Sequence, residues 1–133
     1  MASINNCNII ELRKVASDRG SLTYTESEIS TPFDIKRVYY TYDIPTAAER
    51  GGHAHRAQHE LVIAASGSFE VIIDDGKNKK TVFLNNPQRG LHIVPGIWRE
   101  LKSFSTASVV LVMASDVFIE ADYIKDYKDF VHD

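Results

Sequence analysis

Apolar residues in this chain alternate with polar ones in short runs, and clusters of Gly, Pro, Asn, Asp and Ser close each run. A period of two marks strands with one buried face, so the pattern predicts an all-β chain. Ser21–Thr25 alternates and reads as a strand. Phe33–Ile44 is rich in aromatic and β-branched residues and predicts another, with Ile35, Arg37, Tyr39 and Thr41 on one face. Leu61–Ala65 is an unbroken apolar run and reads as a buried strand. Phe69, Val71 and Ile73 alternate with Glu70, Ile72 and Asp74, and Lys80–Leu84 returns. Between those two, Asp75-Gly76 predicts a hairpin through a type I′ turn, which needs positive φ at both central positions. Leu91–Val94, Ile97–Phe104 and Ser108–Met113 add three strands, and Cys7–Lys14 starts the sheet. Turn residues stand at Ser17–Gly20, Thr31-Pro32, Ser66–Ser68, Asn85–Pro87 and Pro95-Gly96. Only Val117–Val131 shows helical spacing in part, through Ile119, Tyr123, Tyr127 and Phe130. Short strands at regular turn spacing predict an antiparallel barrel or sandwich, one domain over residues 1–133. Such a barrel carries its ligand pocket at the mouth, where strand ends meet.

Composition narrows the partners. The 133 residues are 44% hydrophobic and 25% charged, enough for a real core. A net charge of −3 implies no general affinity for nucleic acid or anionic membrane, so anion binding requires a local group of arginines. Cys7 is alone, which rules out an internal disulfide and fits a reducing cytoplasm. No apolar run is long enough to cross a bilayer, and the N-terminus lacks a basic-then-apolar signal pattern. The expectation is a cytoplasmic protein.

Candidate chemistry concentrates in Arg50–Glu60, which holds three of the five histidines. His53 and His55 stand two apart and so face one side of an extended chain, after a flexible Gly51-Gly52. Two groups that titrate near neutrality, tied to the strand at Leu61–Ala65, suit ligand chemistry better than a strand edge on which histidines happen to alternate. With Glu60 they also form a two-histidine, one-carboxylate set of the kind that holds iron or manganese.

His53-x-His55, with Glu60 and Gly67 following, resembles the first sequence motif of the cupins, which are jelly-roll barrels. Across nearly the whole chain, Asp18–Leu22, Pro32–Tyr40, Arg50–His55, Gly67-Ser68, Asp74–Gly76, Gly90-Leu91, Pro95 with Trp98, Ala114–Asp116 and Asp122–Ile124 appear in order. Together they resemble the sugar-nucleotide 3,4-ketoisomerases, the WxcM-like cupins that act on dTDP-4-keto-6-deoxyglucose. The resemblance implies a cupin-type jelly roll, to which the partial helical spacing adds a short C-terminal helical segment, and a homodimer that exchanges N-terminal strands. It also implies no metal requirement and an active site on His53 and His55. Several positions depart from the family pattern. Gly52 stands in place of an aromatic residue, His59-Glu60 in place of a pair ending in Gln, His92 in place of a tyrosine, and Val117-Phe118 in place of two tyrosines.

For such a substrate the neighbouring carbonyl acidifies the C3 proton, and histidine can take and return protons near neutral pH. Oxidation migrates within the sugar, so no cofactor is called for. Arg19, Arg37, Arg50 and Arg99 are the candidate grips for the diphosphate, because a guanidinium donates two parallel hydrogen bonds. Tyr39, on the face of Arg37, is a further candidate ligand contact, by hydrogen bond or by stacking on the base. Trp98, Tyr123 and Tyr127 read as packing residues. Three alternatives stand beside this reading: a metal-dependent cupin enzyme on His53, His55 and Glu60, a 3,5-epimerase of the same substrate type, and a non-catalytic sugar-nucleotide-binding barrel. Where metal-binding cupins carry a final histidine, this chain carries Arg99, whose fixed charge repels a divalent cation.

Overall fold

The computed structural model describes residues 2–132. It contains strands β1 (Asn8–Glu11), β2 (Arg13–Ser17), β3 (Gly20–Tyr24), β4 (Arg37–Thr41), β5 (Arg50–His55) and β6 (Glu60–Ser66). These are followed by β7 (Phe69–Asp74), β8 (Lys79–Leu84), β9 (Arg89–Ile93), β10 (Trp98–Lys102), β11 (Val109–Ala114), β12 (Tyr123–Ile124) and one helix, α1 (Tyr127–His132). Two five-stranded antiparallel sheets face each other, in the orders β1-β9-β6-β11-β4 and β12-β5-β10-β7-β8. Hairpin β2–β3 pairs with neither sheet. This is the all-β jelly roll expected, with a short helix at the C-terminal end.

Alternation along the strands decides what enters the core. Val62 and Ala64 of β6, Val110 and Val112 of β11, and Leu91 and Ile93 of β9 meet Phe69, Val71, Ile73 and Leu101 of the opposing sheet. Each of these larger side chains, Ala64 excepted, contributes about 1.5–3 kcal/mol by leaving water. The intervening residues of β6 are buried as well: Leu61 and Ile63 pack outward with Leu12 and Phe33, against Ile10, Ile35, Leu111 and Met113. Strand β6 is therefore covered on both faces, which explains its unbroken apolar run.

Three local expectations change. The strand predicted over Phe33–Ile44 shortens to Arg37–Thr41, and Ile35 packs with the outer cluster instead of sharing the inward face of Tyr39. The β7–β8 connection is a four-residue loop, because Asp75 Oδ1 accepts from the amides of both Lys77 and Asn78. Only Gly76 there has positive φ, so the turn is not type I′. Helical spacing across Val117–Val131 yields a helix only from Tyr127; before it the chain makes a 3-10 turn at Glu120–Asp122 and the two residues of β12. Pairing of Tyr123 and Ile124 with His55 and Ala54 holds that segment extended.

Candidate active site

Strand register brings the polar residues to one end of the space between the sheets. In sheet two, His53 of β5 lies opposite Arg99 of β10, and His55 lies opposite Tyr123 of β12. Residues directly opposite in antiparallel strands share a face, so all four look inward. Glu60 opens β6 in sheet one, and Tyr39 and Arg37 of β4 face the same interior. A register shift between Arg99 and Glu100 draws Gly51 close to β10; a Cβ there would meet the Arg99 carbonyl oxygen at 2.9 Å. Gly51 also has a φ of 84°, so this approach suits glycine alone.

The histidine pair is asymmetric. Their ring centroids are 4.9 Å apart and perpendicular, as the spacing predicts for one face. His55 is 0% exposed and fully engaged: Nδ1 is 3.1 Å from Asp122 Oδ2, and Nε2 is 3.4 Å from Gln58 Nε2. His53 lines a cavity of about 100 Å³ with Tyr39, Thr41, Arg50, Glu60 and Arg99, and its Nε2 is buried without a partner. Burial, then the charge of Arg99 and the neighbouring His55, hold the His53 pKa down at about 4. At neutral pH its ring is uncharged and presents a free lone pair.

Glu60 is the hub of the cluster. Its carboxylate accepts from Tyr39 Oη at 2.7 Å and Gln58 Nε2 at 3.0 Å, and pairs with Arg99 Nη1. Burial by itself raises a carboxyl pKa, yet the Arg99 guanidinium, His55 and the Tyr39 hydroxyl together bring Glu60 below its ordinary value. The same burial, with Glu60 beside it, pushes the Tyr39 phenol up, so Tyr39 stays protonated. His53, His55 and Glu60 bring one donor atom each within 4.8 Å of one another. Both oxygens of Glu60 are already engaged, one by a guanidinium, so the donor set suits a hydrogen-bonded ion pair better than a divalent cation.

The four arginines part company. Arg99 lines the cavity, but it is 2% exposed and its charge faces Glu60. Arg50 is exposed and lines the cavity wall. Arg37 donates to Gln58 Oε1 at 3.1 Å and lies over the rings of Tyr39 and Phe118. Arg19 sits exposed in the β2–β3 turn and joins none of them. A larger cleft of about 640 Å³ lies beneath that hairpin, lined by Leu12, Ile63, Leu111 and Met113. It contains no histidine or carboxylate, so the smaller cavity is the chemical one.

Sequence reasoning missed Gln58 and Asp122 as members of the site and assigned Tyr123 to packing. Tyr123 does pack, but on the two imidazoles, with centroids 5.1 Å from His53 and 4.4 Å from His55. Nothing in spacing links residues 55 and 122; their contact exists only through the β5–β12 pairing. Trp98 packs as expected, with Ala54, Ile124 and Phe130.

Residues 5–133 match the family described as FdtA: WxcM-like, C-terminal. The chain is 39% identical over 122 residues to the TDP-4-oxo-6-deoxy-alpha-D-glucose-3,4-oxoisomerase of Aneurinibacillus thermoaerophilus, covering 92% of this chain and 88% of that one. It is 43% identical to the WlaRB TDP-quinovose 3,4-ketoisomerase from Campylobacter jejuni, with a TM-score of 0.92 over 96% of this chain and 98% of that one. A histidine-to-asparagine variant of the 3,4-ketoisomerase QdtA from Thermoanaerobacterium thermosaccharolyticum, in complex with TDP-4-keto-6-deoxyglucose, is also similar. It shares 36% identity at a TM-score of 0.94, over 96% of this chain and 92% of that one.

Proposed function

Because the chain belongs to the FdtA, WxcM-like family, we propose that it is a sugar-nucleotide 3,4-ketoisomerase acting on a dTDP-4-keto-6-deoxyhexose. The observation that carries the site assignment is the partnerless, buried Nε2 of neutral His53 in the cavity shared with Tyr39, Glu60 and Arg99. His53 takes the C3 proton and the C4 carbonyl oxygen gains one, leaving an enediol. Protonation at C4 and loss of the C3 hydroxyl proton then give the 3-ketone. No electrons leave the sugar, so the balance requires no redox cofactor. Arg99 and Glu60 fix the field around the developing charge; the Tyr39 hydroxyl donates to Glu60 and reaches the C4 oxygen only by exchanging that bond.

Incubation with dTDP-4-keto-6-deoxyglucose in deuterium oxide tests this directly. Deuterium at C4 with a new 3-ketone is the expected product; label at C3 and C5 with the 4-ketone retained would make the enzyme an epimerase. Metal content and chelator sensitivity address the His53, His55 and Glu60 alternative. Stoichiometric iron or manganese, with activity lost on its removal, would overturn the metal-independent scheme.

The pKa of about 4 at His53 gives a second expectation. A base acts while deprotonated, so kcat/KM should hold from neutrality down to about pH 5 and fall as His53 protonates near 4. An acid limb at the ordinary histidine value would contradict the assignment. Stability follows the same sign. The group's contribution is complete above the unfolded histidine pKa of about 6.5 and is lost as pH falls through the folded value.

A cavity of about 100 Å³ is small against the roughly 300–1,000 Å³ of typical ligand sites, so it holds part of a sugar and leaves the nucleotide outside. The protruding β2–β3 hairpin exposes Val15, Leu22 and Tyr24. We propose that two copies exchange these hairpins, burying that apolar surface and carrying Arg19 toward the partner's diphosphate site. Light scattering should return a dimer, and Leu22→Asp should shift it to monomer with raised KM; a monomeric, fully active parent would end the idea. With Arg50 at the cavity wall, Arg19 and Arg37 complete the proposed anion contacts. The proposed location is the cytoplasm, and recovery in a washed membrane fraction would contradict it.

A further inference from the structure

Asp122 makes more of its hydrogen bonds to the site than to its own segment. Its Oδ2 lies 3.1 Å from His55 Nδ1 and 3.2 Å from the Gln58 amide nitrogen, and Oδ1 accepts from the Ala57 amide at 2.7 Å. Its carbonyl oxygen accepts from the Arg56 amide at 2.9 Å. Asp122 thereby holds three successive amides, Arg56 to Gln58, of the turn that carries the chain from β5 into β6, and Ser115 holds the next, His59.

A carboxylate only accepts, so the proton shared with His55 resides on Nδ1. His55 Nε2 is left as an acceptor, facing the Gln58 amide and lying 3.7 Å from Glu60 Oε2. In the opposite tautomer Nε2–H would confront the Gln58 amino group, and Gln58 would lose its orientation between Glu60 and Arg37. We infer that Asp122 is a positioning residue of this centre, acting through the His55 ring and the Arg56–His59 turn to hold the tautomer and the Gln58–Glu60–Arg99 network against which His53 works. The inference rests on the ketoisomerase reading for its kinetic consequence, though not for the tautomer itself.

Two measurements decide it. In parent enzyme enriched with nitrogen-15 histidine, long-range correlation spectra should show His55 as the Nδ1–H tautomer; Nε2–H there would overturn the inference without any mutation. In Asp122→Asn the amide can still accept from Ala57 while its NH2 donates to His55 Nδ1. The ring should then switch to Nε2–H, with kcat down about 100-fold or more and KM within about threefold, the pattern of a mis-set tautomer. Loss of thermal stability with an unchanged tautomer and a kcat within about threefold of parent would leave Asp122 a purely structural residue and sink the proposal. Should the parent make no 3-ketone, the isomerase reading fails, while the substrate-free spectra still decide the tautomer.

Discussion

His53→Asn is expected to lower kcat by about 10³-fold or more while the affinity for dTDP changes by less than about threefold. General acid–base catalysis by one positioned side chain contributes roughly 10²–10⁴-fold, and the amide cannot accept a proton at any accessible pH. Asparagine keeps similar bulk and polarity, so the cavity walls at Tyr39, Arg50 and Arg99 keep their places. His55→Asn should also reduce turnover more than affinity, but it removes the partner of Asp122 and loosens the turn behind the cavity. Steady-state kinetics beside calorimetric dTDP titration separate the two effects. Retention of a tenth of parental turnover in His53→Asn would move the base elsewhere. Equal loss of turnover and affinity would favour a binding barrel.

Removing the guanidinium opposite Glu60 should produce the largest stability change. Both partners are 2% exposed, and the carboxylate is ionised there because Arg99 faces it. Arg99→Met leaves that charge buried without its counter-ion, a situation that costs about 3–5 kcal/mol. Glu60 then protonates, or the cluster opens to water; either way the Tyr39 and Gln58 hydrogen bonds are remade. Urea unfolding should show the loss, and activity should fall with it. Adding Glu60→Gln to Arg99→Met removes the orphan charge and should restore most of the stability but not the activity. An Arg99→Met variant within 1 kcal/mol of parent would mean that the pair contributes little and that solvent reaches it freely.

The departures from the family pattern fall unevenly on the structure. Glu60 is the hub of the cavity network, whereas His59 and His92 stack on the far face of the same sheet, with Nδ1 to Nε2 at 3.0 Å beside Phe33. His59 immediately precedes Glu60 at the start of β6, and His92 pairs with Leu61, the next residue; neighbours along an extended chain point to opposite faces. His92 is therefore no part of the cavity wall. Phe118, like Tyr39, lies against the Arg37 guanidinium.

What the sequence determined by itself was whatever a period of two and a local turn encode. It specified a β protein with its strands in order, the shared face of His53 and His55, and, through the order of its motifs, the family. Only the tertiary structure decided that His53 opens on the cavity while His55 is sealed behind it, that Arg99 answers Glu60, and that Asp122 holds the second ring. Those relations join residues up to 67 positions apart. They arise from strand pairing and sheet facing, which fix distances that alternation along a single strand cannot express.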